Sequence, residues 1–396
     1  MAFVAYLWHE WGSLGIVPMV GIAGVSVALA VRYAFRNKMR IFFKHSGLAT
    51  EEKAPHDTVK KTSYGELHTI RMLPGQSSED YEDKKLALEQ YLNCRAEMEF
   101  KQGQLYIKCH SQDLGNMYPY QYFAGKKPLE VTIGKTLTGY LTIDLEDMVH
   151  LLIGGETGGG KSVLLRNLVT SLVLNNRCVL HLVDRKRVEL GIFKRCKCVD
   201  DFISEDDDII VLLDKMKSIA KSRLADMENK NAVTIGSDVV RHVVIFDEFG
   251  DIDSKDIKSA LAKRISQDRA VGIHYILCTQ HPIKEVVTSV IKNNMPGRIA
   301  TKVASYTASG VILDQPGAQD LKVVGRMLCK SGGEIKEFQG FFLLAEKDKK
   351  RPNIPAVMDL LKDMFVDKQS KHTTKPDTCG KEPYEGGCED DVVGER

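Results

Sequence analysis

The sequence predicts an α/β protein: a parallel sheet flanked by helices, preceded by a small α+β module and by one N-terminal transmembrane helix. Three observations carry this prediction. From Val149 onward, short β-branched apolar runs alternate with amphipathic segments of helical length. The first of these runs ends in a glycine-rich loop, Gly155-Glu156-Thr157-Gly158-Gly159-Gly160-Lys161-Ser162. Near the amino terminus, Leu14 to Val31 is 18 residues without a charge.

That apolar run spans ~27 Å as a helix at 1.5 Å per residue, enough to cross the hydrocarbon core of a bilayer. Arg32, Arg36, Lys38, Arg40 and Lys44 follow it, while only Glu10 and His9 stand before it. The cation excess places the amino terminus outside and everything after Val31 in the cytoplasm. A cleaved signal peptide would carry its basic cluster ahead of the apolar run. Residues 1–46 are therefore expected to be a single-pass cell-membrane anchor, with Tyr6, Trp8 and Trp11 at the outer interface.

Residues 47–69 are polar and charged and read as a linker. Residues 70–128 read as a small α+β module. Ser78 to Cys94 is helical in pattern, and Glu97 to Phe100 and Gln104 to Cys109 are separated by a turn at Lys101-Gln102-Gly103. A motor-sized α/β domain is expected over 129–350. Its strands are predicted at 149–153, 178–183, 242–246, 273–278 and 298–303, and its helices at 161–174, 206–228, 254–269 and 284–293. Residues 351–396 read as a C-terminal helix and a polar, disordered tail.

Composition excludes little else. The formal charge is +2, so bulk electrostatics names no partner. The nine cysteines form no C-x-x-C pair, and Cys196 and Cys198 are too close for zinc-ligand spacing. A disulfide scaffold and a zinc ribbon are both disfavoured.

Chemistry concentrates in two places. Gly155 to Ser162 fits G-x-x-x-x-G-K-[ST], a phosphate-binding loop between a strand and a helix. Its glycines let backbone N–H groups approach a phosphate at a helix N-terminus. Lys161 would reach the β- and γ-phosphates and Ser162 would hold Mg²⁺. The Lys161 charge is expected to matter only with nucleotide bound. Farther on, Val243-Val244-Ile245-Phe246 ends in Asp247-Glu248. From a strand beside the loop strand, Asp247 would join the Mg²⁺ shell and Glu248 would orient or deprotonate the attacking water. Acids after a strand also serve as helix caps, which is the plain alternative.

Several segments together resemble the FtsK/SpoIIIE family of hexameric DNA translocases, within the wider HerA-like ATPases. His150-Leu151-Leu152-Ile153 resembles the family's "HLL" lead-in, and Asp184 to Leu190 its "DxK…EL" segment. Asp247 to Asp251 is similar to "DEFAD", Arg269 to His274 to "RAAGIH", and Cys278 to Pro282 to "ATQRP". Ile291 to Ala300 and Ile312 to Ala318 resemble "IKANIPTRIA" and "ILDQAGA". The resemblance implies a RecA-like P-loop ATPase that burns ATP with Mg²⁺ and moves DNA without sequence preference through a homohexameric ring. It implies that Gln280 senses the γ-phosphate and that Arg269 is an arginine finger reaching the neighbouring subunit, with Arg298 ranked second. A surface salt bridge is the bland role for Arg269.

The chain departs from the chromosome-segregating members. It has one expected span, a short linker, and 46 residues after Lys350, too few and too polar for a winged helix. It also has His281 where an arginine is common. It thus resembles the compact FtsK-like coupling proteins of Gram-positive conjugative elements, with a relaxase and channel proteins as further expected partners. The alternatives are a chromosome or plasmid segregation translocase and the ATPase of a protein secretion system.

Overall fold

The structure is a computed structural model that describes residues 38–50, 53–62, 65–343 and 354–366. The predicted span at 14–31 and the tail at 367–396 lie outside the described residues. Among the described residues, no helix is long and apolar enough to cross a membrane. The chain divides into two compact units, Met1–Asp113 and Leu114–Arg396.

In the first unit, residues 38–45 are helical. Then come β1 (His56–Thr62), β2 (Gly65–Arg71), α1 (Ser78–Glu82), α2 (Lys85–Leu92), β3 (Arg95–Lys101) and β4 (Gln104–His110). They form an antiparallel sheet in the order β1-β2-β4-β3. The segment expected as a linker therefore contributes two strands. Its charged residues sit on strands whose inward positions bury His68 and Ile70, and the His68 imidazole pairs with Asp57 at 2.9 Å. The helix expected over 78–94 breaks in two. A Ser77–Asp80 capping box starts α1, and Asn93 ends α2 in a left-handed conformation.

The second unit begins at Leu114 rather than at 129. Its first strand, β5 (Tyr118–Pro119), pairs with a late strand of this unit. The Tyr120 hydroxyl lies 2.9 Å from that of Ser171, and Tyr122 donates to Asn175 at 2.8 Å. These bonds tie residues 114–128 to the helix after the P-loop.

The remaining elements are β6 (Glu130–Thr136), β7 (Gly139–Asp144), α3 (Leu145–Met148), β8 (Leu151–Gly154), α4 (Lys161–Asn175), β9 (Cys178–Val183), β10 (Val199–Ile203), α5 (Asp206–Asn229), β11 (Arg241–Phe246), α6 (Lys255–Gln267), β12 (Ile273–Thr279), α7 (Ser289–Asn294), β13 (Gly297–Ala300), α8 (Tyr306–Leu313), β14 (Arg326–Ser331), β15 (Glu334–Phe342) and α9 (Ile354–Leu360). The sheet runs β10-β9-β11-β12-β8-β13-β14-β15-β6-β7. From β10 to β13 all neighbours are parallel. From β13 to β7 all are antiparallel. The sheet is thus mixed, not purely parallel as the sequence predicted. The antiparallel half turns on Gly332-Gly333, both with positive φ, which suits the two-residue turn of a twisted hairpin.

Strand residues 151–153, 243–246 and 273–279 are buried on both faces, as expected when helices cover both sides of a parallel sheet. Leu164, Leu165, Leu168 and Leu172 of α4 pack into one core. Leu212 and Met216 of α5 and Ile257 and Leu261 of α6 pack into the other. The helix predicted at 284–293 shrinks to α7.

Candidate nucleotide site

The site is assembled where β8, β11 and β12 end. β8 runs into the glycine loop, and α4 starts at Lys161 with Gly160 in a left-handed conformation at its N-cap. The loop is pinned from three sides. Gly155 N–H donates to Thr279 O at 3.2 Å, Glu156 N–H to Lys302 O at 2.9 Å, and Gly325 N–H to Gly159 O at 3.1 Å. Thr301 fills the space beneath it. A Cβ on Gly155 would meet Thr301 Oγ1 at 1.7 Å, and one on Gly159 would meet the same atom at 2.6 Å. Gly155 is therefore required by close packing.

Lys161 is buried and folds toward the acidic pair. Its Nζ donates to Asp247 O at 3.1 Å and to Asp247 Oδ1 at 3.4 Å, and stands 4.0 Å from Glu248 Oε2. Burial works against the Lys161 charge, but Cys278, Asp247 and Glu248 together outweigh it and hold its pKa above the ordinary value. Burial raises the Asp247 carboxyl, Lys161 opposes the shift, and the charges of Glu189 and Asp184 reinforce it. Lys161 is thus an ion-pair partner of Asp247 in its own right. The expectation that its charge matters only with nucleotide bound is corrected on that ground.

Glu248 is 7% exposed. Its Oε2 accepts the Gln280 N–H at 2.7 Å. Its Oε1 is buried and has no hydrogen-bond partner among the described residues. A buried carboxylate oxygen without a partner is costly and marks a position for a water or a ligand. Thr157 Oγ1 donates to Gln280 Oε1 at 2.6 Å, joining the loop to the end of β12. The structure thus brings Thr157, Lys161, Asp247, Glu248 and Gln280 into one constellation. Ser162 stands next to Lys161 in the first turn of α4.

The strand order corrects one expectation. The Asp247 strand does not adjoin the P-loop strand: β12 lies between β11 and β8. The long Lys161 side chain spans the intervening strand. It also follows that Gln280 lies between the loop and the acids.

Arg269 lies elsewhere. It is exposed in the 3₁₀ turn Asp268–Val271 that precedes β12, while the glycine loop lies beyond the other end of that strand. Seven residues of β12 at ~3.3 Å each put ~20 Å between the two ends. It cannot serve its own phosphates. Arg298 is engaged structurally. It is buried, donates to Met295 O at 2.9 Å and to Lys292 O at 2.9 Å, and pairs with Asp314.

Three contributors emerge only with the fold. Thr279 ends β12 and Thr301 directly follows β13, the strands on either side of β8, and their partners emerge only with the sheet order. Asp184 directly follows β9 and is fully buried. Its Oδ2 accepts the N–H groups of Glu189 and Leu190 at 3.0 and 2.9 Å, and its Oδ1 has no hydrogen-bond partner among the described residues. The motif that contains it was visible, but its burial was not.

The residues fit a nucleoside triphosphate with Mg²⁺. The loop leaves no room for side chains at Gly155 and Gly159, a buried lysine stands against two carboxylates, and one carboxylate oxygen is unsatisfied. Fold and site together define a P-loop nucleoside triphosphatase. Residues 113–245 match the model of the FtsK/SpoIIIE family, and over that stretch the chain is similar to it. A DNA translocase FtsK of Staphylococcus epidermidis is 33% identical over 248 residues, covering 56% of this chain and 31% of that protein. The chain thus spans about a third of the length of that relative. Among solved structures, the pCW3 conjugation coupling protein TcpA, a monomer form with ATPγS, is 25% identical with a TM-score of 0.57. That match covers 82% of this chain and 98% of that one. EssC (ATPases 2 and 3) from Geobacillus thermodenitrificans shares the fold at 16% identity and a TM-score of 0.56, over 64% and 52% of the two chains.

Proposed function

We propose that this protein is a membrane-anchored, ATP-driven DNA translocase that acts as the coupling protein of a conjugative transfer channel. The observation that carries the reading is the Lys161–Asp247–Glu248–Gln280 constellation. The likeness to a conjugation coupling protein over 98% of that chain supports the finer assignment. The uncharged run at 14–31 and its basic flank support the anchor.

In this reading the glycine loop cradles the phosphates with its backbone N–H groups. Lys161 swings from Asp247 to the β- and γ-phosphates, which leaves the Asp247 carboxylate for the metal. Ser162 and Asp247 would hold Mg²⁺, which supplies charge neutralisation at the phosphates when bound. Glu248 uses its unsatisfied Oε1 to accept a hydrogen bond from the attacking water. The Gln280 N–H holds the other oxygen and so fixes the carboxylate plane. Arg269 reaches the nucleotide of the next subunit, so hydrolysis requires a ring.

A second reading is a chromosome or plasmid segregation translocase; the 33% identity to a DNA translocase FtsK supports DNA translocation in either reading. Both readings require DNA to stimulate hydrolysis. The test is steady-state ATP hydrolysis by the full chain with double-stranded, single-stranded and no DNA. Stimulation by DNA supports the proposal. Hydrolysis indifferent to both forms of DNA overturns it.

A further inference from the structure

The turn that carries Arg269 is anchored more firmly than a surface turn needs. The residue before it, Asp268, is fully buried. Its carboxylate accepts the Tyr275 hydroxyl at 2.6 Å and Arg264 Nη1 at 3.1 Å. Arg264, from the last turn of α6, also donates to Gln267. Across the turn, Arg223 of α5 donates to Val271 O at 2.6 Å and to Val240 O at 2.7 Å. Gly272 closes the turn at φ +69, its N–H returning to Asp268 O.

The same elements reach the P-loop strand. His150, directly before β8, is buried and donates from Nε2 to Ile265 O in α6 at 2.8 Å. Its Nδ1 accepts the Tyr275 N–H at 3.1 Å. Both bonds together require the neutral ring. Burial, reinforced by His274, pulls the His150 pKa down to about 3, which keeps it neutral. Tyr275 thus meets His150 through its backbone and Asp268 through its hydroxyl.

A buried ion pair is poor evidence for stability, because desolvation offsets the attraction. Burial pushes the Asp268 carboxyl up to about 6, against the pull of Tyr275 and Arg264. What the arrangement supplies is a fixed direction for the turn. We infer that Asp268 and Tyr275 are positioning residues that aim Arg269 at the neighbouring subunit's nucleotide, and that His150 ties this turn to the P-loop strand of its own subunit. The inference rests on the reading of Arg269 as an arginine that acts in trans.

Subunit mixing tests it, because a positioning defect must travel with the arginine donor and not with the nucleotide site. Glu248→Gln serves as the partner: it is inactive at its own site but retains Asp268, Arg269 and Tyr275. An arginine finger is worth ~10³–10⁵ in rate, so a misaimed one should lose at least about tenfold. In Asp268→Asn rings, kcat should fall by that factor while KM for ATP stays within error, even though loss of the buried Arg264 pair lowers the melting temperature. Adding Glu248→Gln subunits to Asp268→Asn subunits should restore hydrolysis, as should adding them to Arg269→Ala subunits. Tyr275→Phe removes only the hydroxyl and carries the same test if Asp268→Asn fails to fold. Restoration with Arg269→Ala but not with the Asp268 or Tyr275 variants overturns this inference and leaves the trans reading standing. Wild-type kcat in both Asp268→Asn and Tyr275→Phe also overturns it. No restoration with Arg269→Ala overturns both together.

Discussion

Removing the Lys161 amine should destabilise the protein before any nucleotide is added. The ammonium and both carboxylates beside it are about 4% exposed, so Lys161→Ala leaves Asp247 and Glu248 buried without a counter-charge. Breaking one partner out of a buried pair typically costs ~3–5 kcal/mol, and the same loss is expected here. The sign of its pH dependence follows from Asp247. Burial already raises that carboxyl, and loss of Lys161 removes the largest opposing influence. A carboxyl raised in the folded state binds a proton there that the unfolded chain releases, so falling pH favours the fold. The deficit should therefore shrink as the pH falls below 7. Lys161→Ala combined with Asp247→Asn should recover part of the loss at pH 7. Urea unfolding without nucleotide, extrapolated linearly to water, measures each variant. A Lys161→Ala protein as stable as the parent at pH 7 would refute the reasoning and mean that the pair is solvated.

Glu248→Gln should bind ATP and keep the fold, because its amide oxygen can still accept the Gln280 N–H, while turnover drops by ~10²–10⁴. Loss of nucleotide binding in that variant, measured by fluorescent-nucleotide titration, would assign Glu248 a structural task instead. Gly155→Ala drives a Cβ to 1.7 Å from Thr301 Oγ1 and should cost ~1–3 kcal/mol of stability along with ATP affinity. Adding Thr301→Ala should return part of both, and simple additivity in that double-mutant cycle would contradict the packing argument. Cysteines placed at Ser13 and Ser46 report orientation. The first should react with impermeant thiol reagents in whole cells and the second should not, and reversed labelling would invert the topology inferred from Arg32 to Lys44.

The nucleotide loop and the acidic strand end were legible because their chemistry confines them to short, fixed spacings. Gly155 to Ser162 must present N–H groups and one lysine within a few residues, and Asp247-Glu248 must follow a buried strand. Most strands of the parallel half were legible for a related reason: burial on both faces leaves runs such as Val243 to Phe246 almost wholly apolar. What stayed hidden depends on pairing across the chain. No local pattern shows that β12 separates β8 from β11, nor that His150 bonds to a carbonyl 115 residues away. Strand β10 has no apolar signature because Asp200-Asp201 within it is acidic. At the sheet edge those carboxylates are met by Lys215 at 2.9 and 2.7 Å, so charge there does not exclude a strand. The β14–β15 hairpin carried a readable signal in Gly332-Gly333. The strands β1 and β2 were hidden because the lysines, Asp57 and Glu66 on them look like a linker until His68 and Ile70 are seen to alternate inward.

The central claim is that ATP turnover at the Lys161–Glu248 site drives movement along DNA. Displacement of a third strand from a DNA triplex by the full chain tests it most directly. Displacement should require hydrolysable ATP and Mg²⁺, fail with Glu248→Gln and weaken steeply with added salt, since contacts to phosphates are salt-sensitive. Hydrolysis at full rate with no displacement on any duplex length or polarity would contradict it.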